Sequence, residues 1–371
     1  ISNLDRSIRL IIYMNAAAIQ PYALLDDQEC EQRIRRARQV LGERLVILGH
    51  HYQRDEVFQH ADFTGDSLKL SRQAAGTKAE YIVFCGVHFM AEVADILTRT
   101  DQVSILPDMA AGCSMADMAD LQHVEKAWKE LGEVLDPDEH VTPVTYINSA
   151  ADLKAFCGEH GGIVCTSTNA RHVLDWSFEH REKVLFFPDQ HLGRNTGYTM
   201  GIPLEQMVVW DYDKPMGGLT AEQIRQAKII LWKGFCSVHQ MFQPEQIDNF
   251  KQKYPETIVI AHPESPFEVC RKADFVGSTE YIIKTIAEGK PGSRWLVATE
   301  LNMVNRLHDL HKAQGTNVHF MSPNVCMCST MFRIDPQHLA WVLENLVDGV
   351  VVNQVSVPEN TAELARLALN R

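Results

Sequence analysis

The amino-acid sequence predicts an α/β protein whose parallel sheets are covered by helices on both faces. Short apolar runs rich in β-branched residues alternate with helix-length segments, and polar side chains follow nearly every run. The alternation begins after an N-terminal leader and helix at residues 1–40, where Asp26 and Asp27 can cap a helix over 29–39. The runs are 45–48, 81–84, 103–106, 144–147, 162–165, 184–187, 257–261, 273–276, 295–298 and 318–321.

Composition excludes several functional classes. The 371 residues are 45% hydrophobic and 22% charged, enough for a normal core and for two or three domains. The 35 Lys and Arg against 48 Asp and Glu give a net charge of −13, and no basic run favours nucleic-acid binding. The longest apolar run is too short for a membrane span, and we expect no signal peptide. Nine cysteines in such a chain are expected to be reduced, as in the cytoplasm.

Polar residues at the ends of the predicted strands indicate where a ligand binds, because ligands of parallel sheets lie beyond the carboxyl ends of the strands. The candidates that follow the apolar runs include His50, Tyr52, Asn148, Ser167, His262, Glu264 and Thr279. Each can also be a capping or solvated residue, and Ser/Thr turns that open helices are N-caps more often than anion sites. We expect His51 and His60 at the surface and His88 in the core.

An internal repeat divides the chain into three similar units, each with strand-end polar groups and a later cysteine. The predicted α/β domains are residues 41–120, 121–240 and 241–371, the second with an insertion at about 197–230 and the third with a C-terminal helical tail. In the first unit the strands are expected to end at His50, Cys85 and Pro107. Chance alternation, common in α/β proteins, is the alternative.

Three single cysteines at comparable places in these units suggest a shared metal site. They belong to Gly112-Cys113, Gly234-Phe235-Cys236 and Cys326-Met327-Cys328, and spacing alone does not choose between Cys326 and Cys328. Structural zinc sites use four ligands, often in close pairs, whereas three thiolates leave one iron of an iron–sulfur cluster open as a Lewis acid. The alternative is that these are buried core thiols, as we expect for Cys85 and Cys165.

Acid–base chemistry has its candidates at the same strand ends. His50, Tyr52, His239, His262 and Glu264 are side chains that can move protons near neutral pH. His239 follows Cys236 by three residues, which allows either metal ligation or proton transfer.

Together these motifs resemble the quinolinate synthase family, the A protein of de novo NAD biosynthesis. The resemblance covers about residues 40–335. It is carried by residues 49–72, 86–97, 111–117, 146–155, 165–170, 188–196, 234–239, 261–266, 276–284 and 328–334.

The resemblance implies three α/β domains around a pseudo-threefold axis, with one [4Fe-4S] cluster at the centre. It implies a transferase that condenses iminosuccinate (iminoaspartate) with dihydroxyacetone phosphate to give quinolinate, phosphate and water. An open iron would act as Lewis acid in dehydration. It also implies functional coupling to L-aspartate oxidase or aspartate dehydrogenase, a cytoplasmic location, and no nucleic-acid or membrane partner.

The resemblance also assigns individual residues. The cluster ligands are Cys113, Cys236 and Cys328, the last preferred to Cys326 because Met331 matches the family pattern. The catalytic residues are Tyr52, His239 and Glu264. The substrate-binding residues are His50, Ser67, Tyr146, Ile147, Asn148, Ser167, His262, Pro263, Glu264 and Thr279. A redox role for Cys326 stays open.

Two rival functions use the same residues differently. One is a non-enzymatic iron–sulfur sensor or electron carrier, which has no need of several strand-end His, Tyr and Glu side chains. The other is a metal-free α/β sugar-phosphate enzyme with core cysteines.

Overall fold

The computed structural model describes residues 19–324 and 327–371 and divides the chain into two compact units. The first unit contains the described residues up to Gly112 together with Ser329–Ser356, and the second contains Cys113–Cys328 and Val357–Arg371. The predicted leader is described only from residue 19, and Cys326 lies outside the described residues.

The strands are short, and central ones such as Tyr81–Cys85 and Lys183–Phe187 are buried on both faces because their sequences are mostly apolar. Within the described ranges they are β1 Leu45–His50, β2 Phe63–Gly65, β3 Tyr81–Cys85, β4 Val103–Ile105, β5 Val141–Tyr146, β6 Ile163–Cys165, β7 Lys183–Phe187, β8 Met207–Trp210, β9 Ile229–Trp232, β10 Ile258–Ala261, β11 Phe275–Val276, β12 Arg294–Ala298, β13 Asn317–Phe320 and β14 Gln354–Val355.

Most helices begin at a polar cap residue; Asp26, for example, accepts a hydrogen bond from the Glu29 amide. The helices are α1 Asp27–Leu41, α2 Asp55–Phe58, α3 Ser67–Ala75, α4 His88–Leu97, α5 Leu121–Leu131, α6 Pro137–His140, α7 Ala151–Glu159, α8 Ala170–His180, α9 Gln190–Thr199, α10 Ala221–Gln226, α11 Pro244–Lys253, α12 Phe267–Lys272, α13 Thr279–Ala287, α14 Leu301–His311, α15 Pro336–Val347 and α16 Glu359–Asn370. Among the described residues, no helix combines the length and the apolar character needed to cross a membrane.

The first unit has one sheet with the strand order β14-β4-β3-β1-β2. All neighbours are parallel except β14, which runs antiparallel to β4. Helices α1 and α15 pack against each other in this unit, so the part of the C-terminal tail up to Ser356 belongs to it.

The second unit has two fully parallel sheets, ordered β6-β5-β7-β9-β8 and β11-β10-β12-β13. Helix α16 packs on α7 and β6, so the end of the tail belongs here. The stretch predicted as an insertion contributes β8, an edge strand parallel to β9. The predicted α/β class with parallel sheets is therefore confirmed.

The three sheets share a core connectivity: the second strand lies at an edge beside the first, and the third strand lies on the other side of the first. The next strand in each sheet is β4, β9 or β13, and in the second sheet the edge strand β8 comes before β9 in the chain. All ten predicted runs contain strands, but β2, β8, β9 and β14 were not predicted. Because β2 pairs with β1, it is β2 and not β3 that occupies the place of β6 and β11. The strand ending at Cys85 therefore corresponds to those ending at Phe187 and Ala298.

Candidate active site and metal centre

A glycine places the loop that carries Cys236. This loop follows β9, and a Cβ on Gly234 would lie 2.1 Å from the Pro188 carbonyl oxygen. The Gln190 amide donates to the Gly234 carbonyl at 3.0 Å. Only glycine allows this approach of two backbones, so Gly234 fixes the position of the thiol two residues on.

The three cysteines predicted as ligands lie in one region of the second unit; we call them the thiol set. The Ser114 and Ser237 hydroxyls, each next to one of these cysteines, are 3.4 Å apart. Burial, with a smaller contribution from Cys328, raises the pKa of Cys113 to about 12. Burial also raises the pKa of Cys236 well above its usual value, with added contributions from Glu264 and the other two thiols. The three sulfur atoms therefore interact electrostatically with one another.

Glu264 is the centre of a second group, which we call the carboxylate centre: Tyr146, His239, His262, Glu264 and Thr299. Its Oε1 accepts a hydrogen bond from the Tyr146 hydroxyl at 2.6 Å, and its Oε2 lies 2.9 Å from His239 Nδ1. His262 Nδ1 lies 3.9 Å from Oε1. Every member is at most 4% exposed. Two strand ends, those of β5 and β10, thus meet at one buried carboxylate.

The charge state of this centre follows from its surroundings. Burial alone would raise the pKa of Glu264, but His262, His239 and the Tyr146 hydroxyl together outweigh burial and hold it well below its usual value. Burial lowers the pKa of His262 to about 3. At neutral pH the centre therefore contains a carboxylate beside a neutral His262.

His239 connects the carboxylate centre to the thiol set. It begins the 3-10 turn His239–Met241, and Phe242 anchors that turn in the core of the third sheet. Its Nδ1 lies 3.1 Å from Cys236 Sγ as well as 2.9 Å from Glu264, and its Nε2 lies 3.3 Å from the Thr299 hydroxyl. The ligand atoms of Cys236, His239 and Glu264 all lie within 4.8 Å of one another, close enough to hold one metal ion or to pass a proton.

The loop after β5 carries three of the predicted substrate residues. Ile147 donates its amide to the Cys165 carbonyl at 2.8 Å, and Asn148 is half-buried. The Ser149 hydroxyl donates to the Tyr146 carbonyl at 2.8 Å. Lys154 is fully buried, and its ammonium group donates a hydrogen bond to the Ser149 carbonyl. This buried side chain holds the loop after β5 in place.

The other predicted substrate residues of the second unit lie at the ends of β6, β10 and β11. Ser167 is half-buried, whereas Pro263 and Thr279 are buried. Thr279 is the first residue of α13, and the preceding Ser278 accepts from the Tyr281 amide at 3.4 Å as an N-cap. Asn195 Nδ2 donates to the Pro263 carbonyl at 2.8 Å.

His50, Tyr52 and Ser67 belong to the first unit. The Tyr52 amide donates to His50 Nδ1 at 3.2 Å, and the two rings meet edge to face at 4.9 Å. Strand β2 brings Gly65 opposite His50, so Ser67, at the start of α3, follows the same edge of the sheet. These three predicted residues thus lie at the carboxyl ends of β1 and β2.

Expectations for the remaining histidines of this motif region were wrong. His51 and His60 are buried, at 6% and 7% exposure, and burial lowers the pKa of His60. His88 has a half-exposed side chain 3.7 Å from Glu92 instead of a core position. Alternating polar and apolar residues around short helices do not show which side faces the core.

Two buried carboxyl groups near these sites were not predicted. Glu300 follows β12, accepts from the Asn302 amide at 2.7 Å and from the Cys328 backbone, and has its pKa raised to about 7 by burial. Asp189 follows β7, accepts from the Leu192 amide at 2.5 Å, and has its pKa raised well above normal by burial and then by Glu264. Both directly follow a strand, the same signal that identified the other candidates.

Known proteins are similar to this chain over nearly its whole length. The family model described as "Quinolinate synthetase A protein" matches residues 32–371. The quinolinate synthase of Rhodopirellula baltica is 56% identical over 365 residues, covering 95% of this chain and 92% of that protein. Those of Herpetosiphon aurantiacus and Acidobacterium capsulatum are 56% and 53% identical, covering 95% and 96% of this chain and 94% and 96% of theirs. The chain belongs to the quinolinate synthase family of enzymes.

Proposed function

We propose that this enzyme condenses iminosuccinate with dihydroxyacetone phosphate to give quinolinate, phosphate and two waters, as a step of de novo NAD biosynthesis. The observation that carries the proposal is the buried Glu264 carboxylate, held between Tyr146 and His239 next to the thiol set. Forming a pyridine ring from these substrates requires carbon–carbon bond formation, loss of phosphate, carbonyl–imine exchange and dehydration. Proton transfer is needed in most of these steps.

Glu264 and His239 are suited to move those protons. Glu264 is ionised at neutral pH, so its carboxylate is in the form that accepts a proton, although its low pKa makes it a weak base by itself. His239 Nδ1, 2.9 Å from the carboxylate, can take the proton on or supply one to a leaving group. Tyr52, at the end of β1, is the alternative base.

The thiol set supports the second part of the proposal, one [4Fe-4S] cluster held by Cys113, Cys236 and Cys328. The three residues fit such a group, because they are thiols outside any disulfide that stay partly exposed and interact with one another. Burial disfavours their thiolates, and a cationic cluster would reverse that effect. When bound, a cluster with one iron free of protein ligands supplies a Lewis acid for loss of a hydroxyl group.

Substrate recognition is proposed to involve both units. His50 and Ser67 would act together with Tyr146, Ile147, Asn148, Ser167, His262, Pro263 and Thr279. The shared connectivity of the three sheets supports three similar αβα domains. Their arrangement around a pseudo-threefold axis is part of the proposal. An upstream oxidase or dehydrogenase acting on aspartate would supply the imine, in a reducing cytoplasm that keeps the thiols free.

One assay tests the proposal against its rivals. Protein purified without oxygen is analysed for iron and for its visible spectrum, then mixed with freshly generated iminosuccinate and dihydroxyacetone phosphate. We expect iron in the protein, and phosphate and quinolinate released in equal amounts. Iron without either product would indicate a sensor or electron carrier, and turnover without iron would exclude the cluster.

A further inference from the structure

A pocket of about 200 Å³ lies in the second unit beside the carboxylate centre. We call it the arginine pocket. Its lining residues include Ser167, Thr168, Arg171, Asn195, Pro263 and Arg271. Ser167 and Pro263 belong to the proposed substrate-binding set, whereas the arginines have no role in it. No Asp or Glu is among the lining residues, so the pocket is positive in a protein whose net charge is −13.

The first turn of α8 presents unpartnered donors to this pocket. Asn169 precedes the helix but does not cap it, because its Oδ1 accepts instead from the Thr166 amide at 2.6 Å and hydroxyl at 3.0 Å. The Ser167 and Thr168 hydroxyls make no hydrogen bond to any described residue. Free amides and the helix dipole favour an anion at such an end, and the two arginines beside it are an independent sign of one.

The two arginines are available for a ligand. Arg271 stacks over the Tyr198 ring at 4.8 Å and forms no ion pair within the part of the chain that the structure describes. Arg171 lies 3.9 Å from Asp175, but both side chains are more than half exposed, so this pair is weak. A planar guanidinium pairs well with phosphate oxygens, and stacking on a ring orients it for that purpose.

We propose that the arginine pocket captures the phosphate group of dihydroxyacetone phosphate before this substrate reaches the carboxylate centre, an inference that rests on the proposed function. The volume suits one small phosphate ester. Pro263 lines the pocket, and its chain neighbours His262 and Glu264 belong to the carboxylate centre. The loop that contains these three residues therefore contributes to both the arginine pocket and the carboxylate centre. Local positive charge also offsets the repulsion that an acidic surface exerts on a dianion.

Binding measured without turnover tests the proposal. Dihydroxyacetone phosphate is titrated calorimetrically into the iron-loaded enzyme and into its Arg171→Gln, Arg271→Gln and double variants. We expect each single change to raise Kd about tenfold, the loss of one charge-assisted contact. Lys272→Gln is the matched control: it removes the same charge one residue from Arg271, outside the pocket, where Lys272 pairs with Asp248 at 2.5 Å. Its Kd should stay within about twofold of wild type.

Three outcomes would overturn the inference. The first is an unchanged Kd for dihydroxyacetone phosphate in the double variant, and the second is no binding of this ester by the wild type. The third is that the arginine variants lose as much affinity for malate as for the ester, which would indicate a general anion site. Failure of the proposed function is a separate result, because it is the absence of quinolinate when both substrates are added to wild type. Iron content and the urea midpoint of each variant exclude misfolding as a cause.

Discussion

The carboxylate centre and the arginine pocket share the loop at residues 262–264 but differ in how their polar groups are satisfied. In the centre, Glu264 has partners at 2.6 and 2.9 Å, and both ring nitrogens of His239 have partners. In the pocket, the hydroxyls of Ser167 and Thr168 make no hydrogen bond to any described residue. Arg271 stacks on the Tyr198 ring and has no ion pair with any described residue.

This difference separates chemistry from capture. Buried groups that hydrogen-bond to one another hold a fixed geometry, which suits proton transfer between them. Partly exposed cations without partners bind an anion and release it without breaking internal contacts. Changes in the centre and the thiol set should therefore abolish turnover, whereas changes around the pocket should alter affinity or stability by small amounts.

The largest effect is expected from removal of a thiol. Cys113→Ala or Cys236→Ala should give a folded protein without the brown cluster and without measurable activity, because two remaining thiolates hold a cluster poorly. Iron per chain, the visible spectrum and quinolinate formation measure this. Cys165→Ala, a fully buried thiol of β6, is the control and should retain its iron. Full iron content in either ligand variant would refute the ligand assignment.

Glu264→Gln comes next. The amide keeps the size of the side chain and its contact with Tyr146 but cannot accept a proton, so kcat should fall about 10²- to 10⁴-fold with iron content unchanged. Glu268→Gln, four residues on and exposed in α12, should keep wild-type turnover. Near-normal rates in Glu264→Gln would remove this residue from the catalytic list.

The parts of this site that could be predicted from the sequence are those marked by local patterns of apolar, polar and cysteine residues. Continuously apolar runs such as the one at β7 predicted most of the strands, and the polar residues after the runs included Glu264 and His262. The spacing of Cys113 and Cys236 within repeated units gave the thiol set. These features are local, and local patterns are what a single sequence contains.

The features that could not be predicted depend on tertiary contacts. Strand β2 has three residues, two of them half-exposed, and exists because it pairs with β1. The position of Glu300 against the Cys328 backbone joins residues far apart in the chain. Asn is a common cap residue, but Asn169 does not cap α8 because its side chain accepts hydrogen bonds from Thr166 instead. The sequence does not show which of these contacts the side chain makes.

Glu300 should have an intermediate effect. Glu300→Ala leaves the amides of Asn302, Met303 and Cys328 without their acceptor, at a cost of about 1–3 kcal/mol, and loosens the third ligand. We expect a reduced iron content and faster loss of iron to a chelator. Glu300→Gln keeps a carbonyl acceptor and should retain most of the iron. Equal iron retention in both variants would contradict a positioning role.

His191 gives a pH-dependent effect. Burial lowers its pKa to about 4, and its Nε2 lies 2.6 Å from Gln240 Oε1. The unfolded chain binds a proton near pH 6.5 and the folded chain does not until about pH 4. Wild-type stability should therefore fall with decreasing pH in this window by about 1.4 kcal/mol per unit, a loss absent from His191→Gln. Urea midpoints at pH 7.5 and 5.5 measure the difference; a parallel fall in both proteins would contradict it.

The smallest effects should separate the two helix starts at β6 and β11. Ser278 caps α13, so Ser278→Ala should lower the free energy of unfolding by about 1 kcal/mol and leave the affinity for dihydroxyacetone phosphate unchanged. Thr168 makes no hydrogen bond to any described residue, so Thr168→Ala should change stability by less than about 0.5 kcal/mol but weaken binding of the ester. Urea unfolding and calorimetry on the same samples measure both quantities. If Thr168→Ala instead lost stability and kept affinity, α8 would be an ordinary capped helix, and the contrast between the satisfied centre and the unsatisfied pocket would fail at its most direct point.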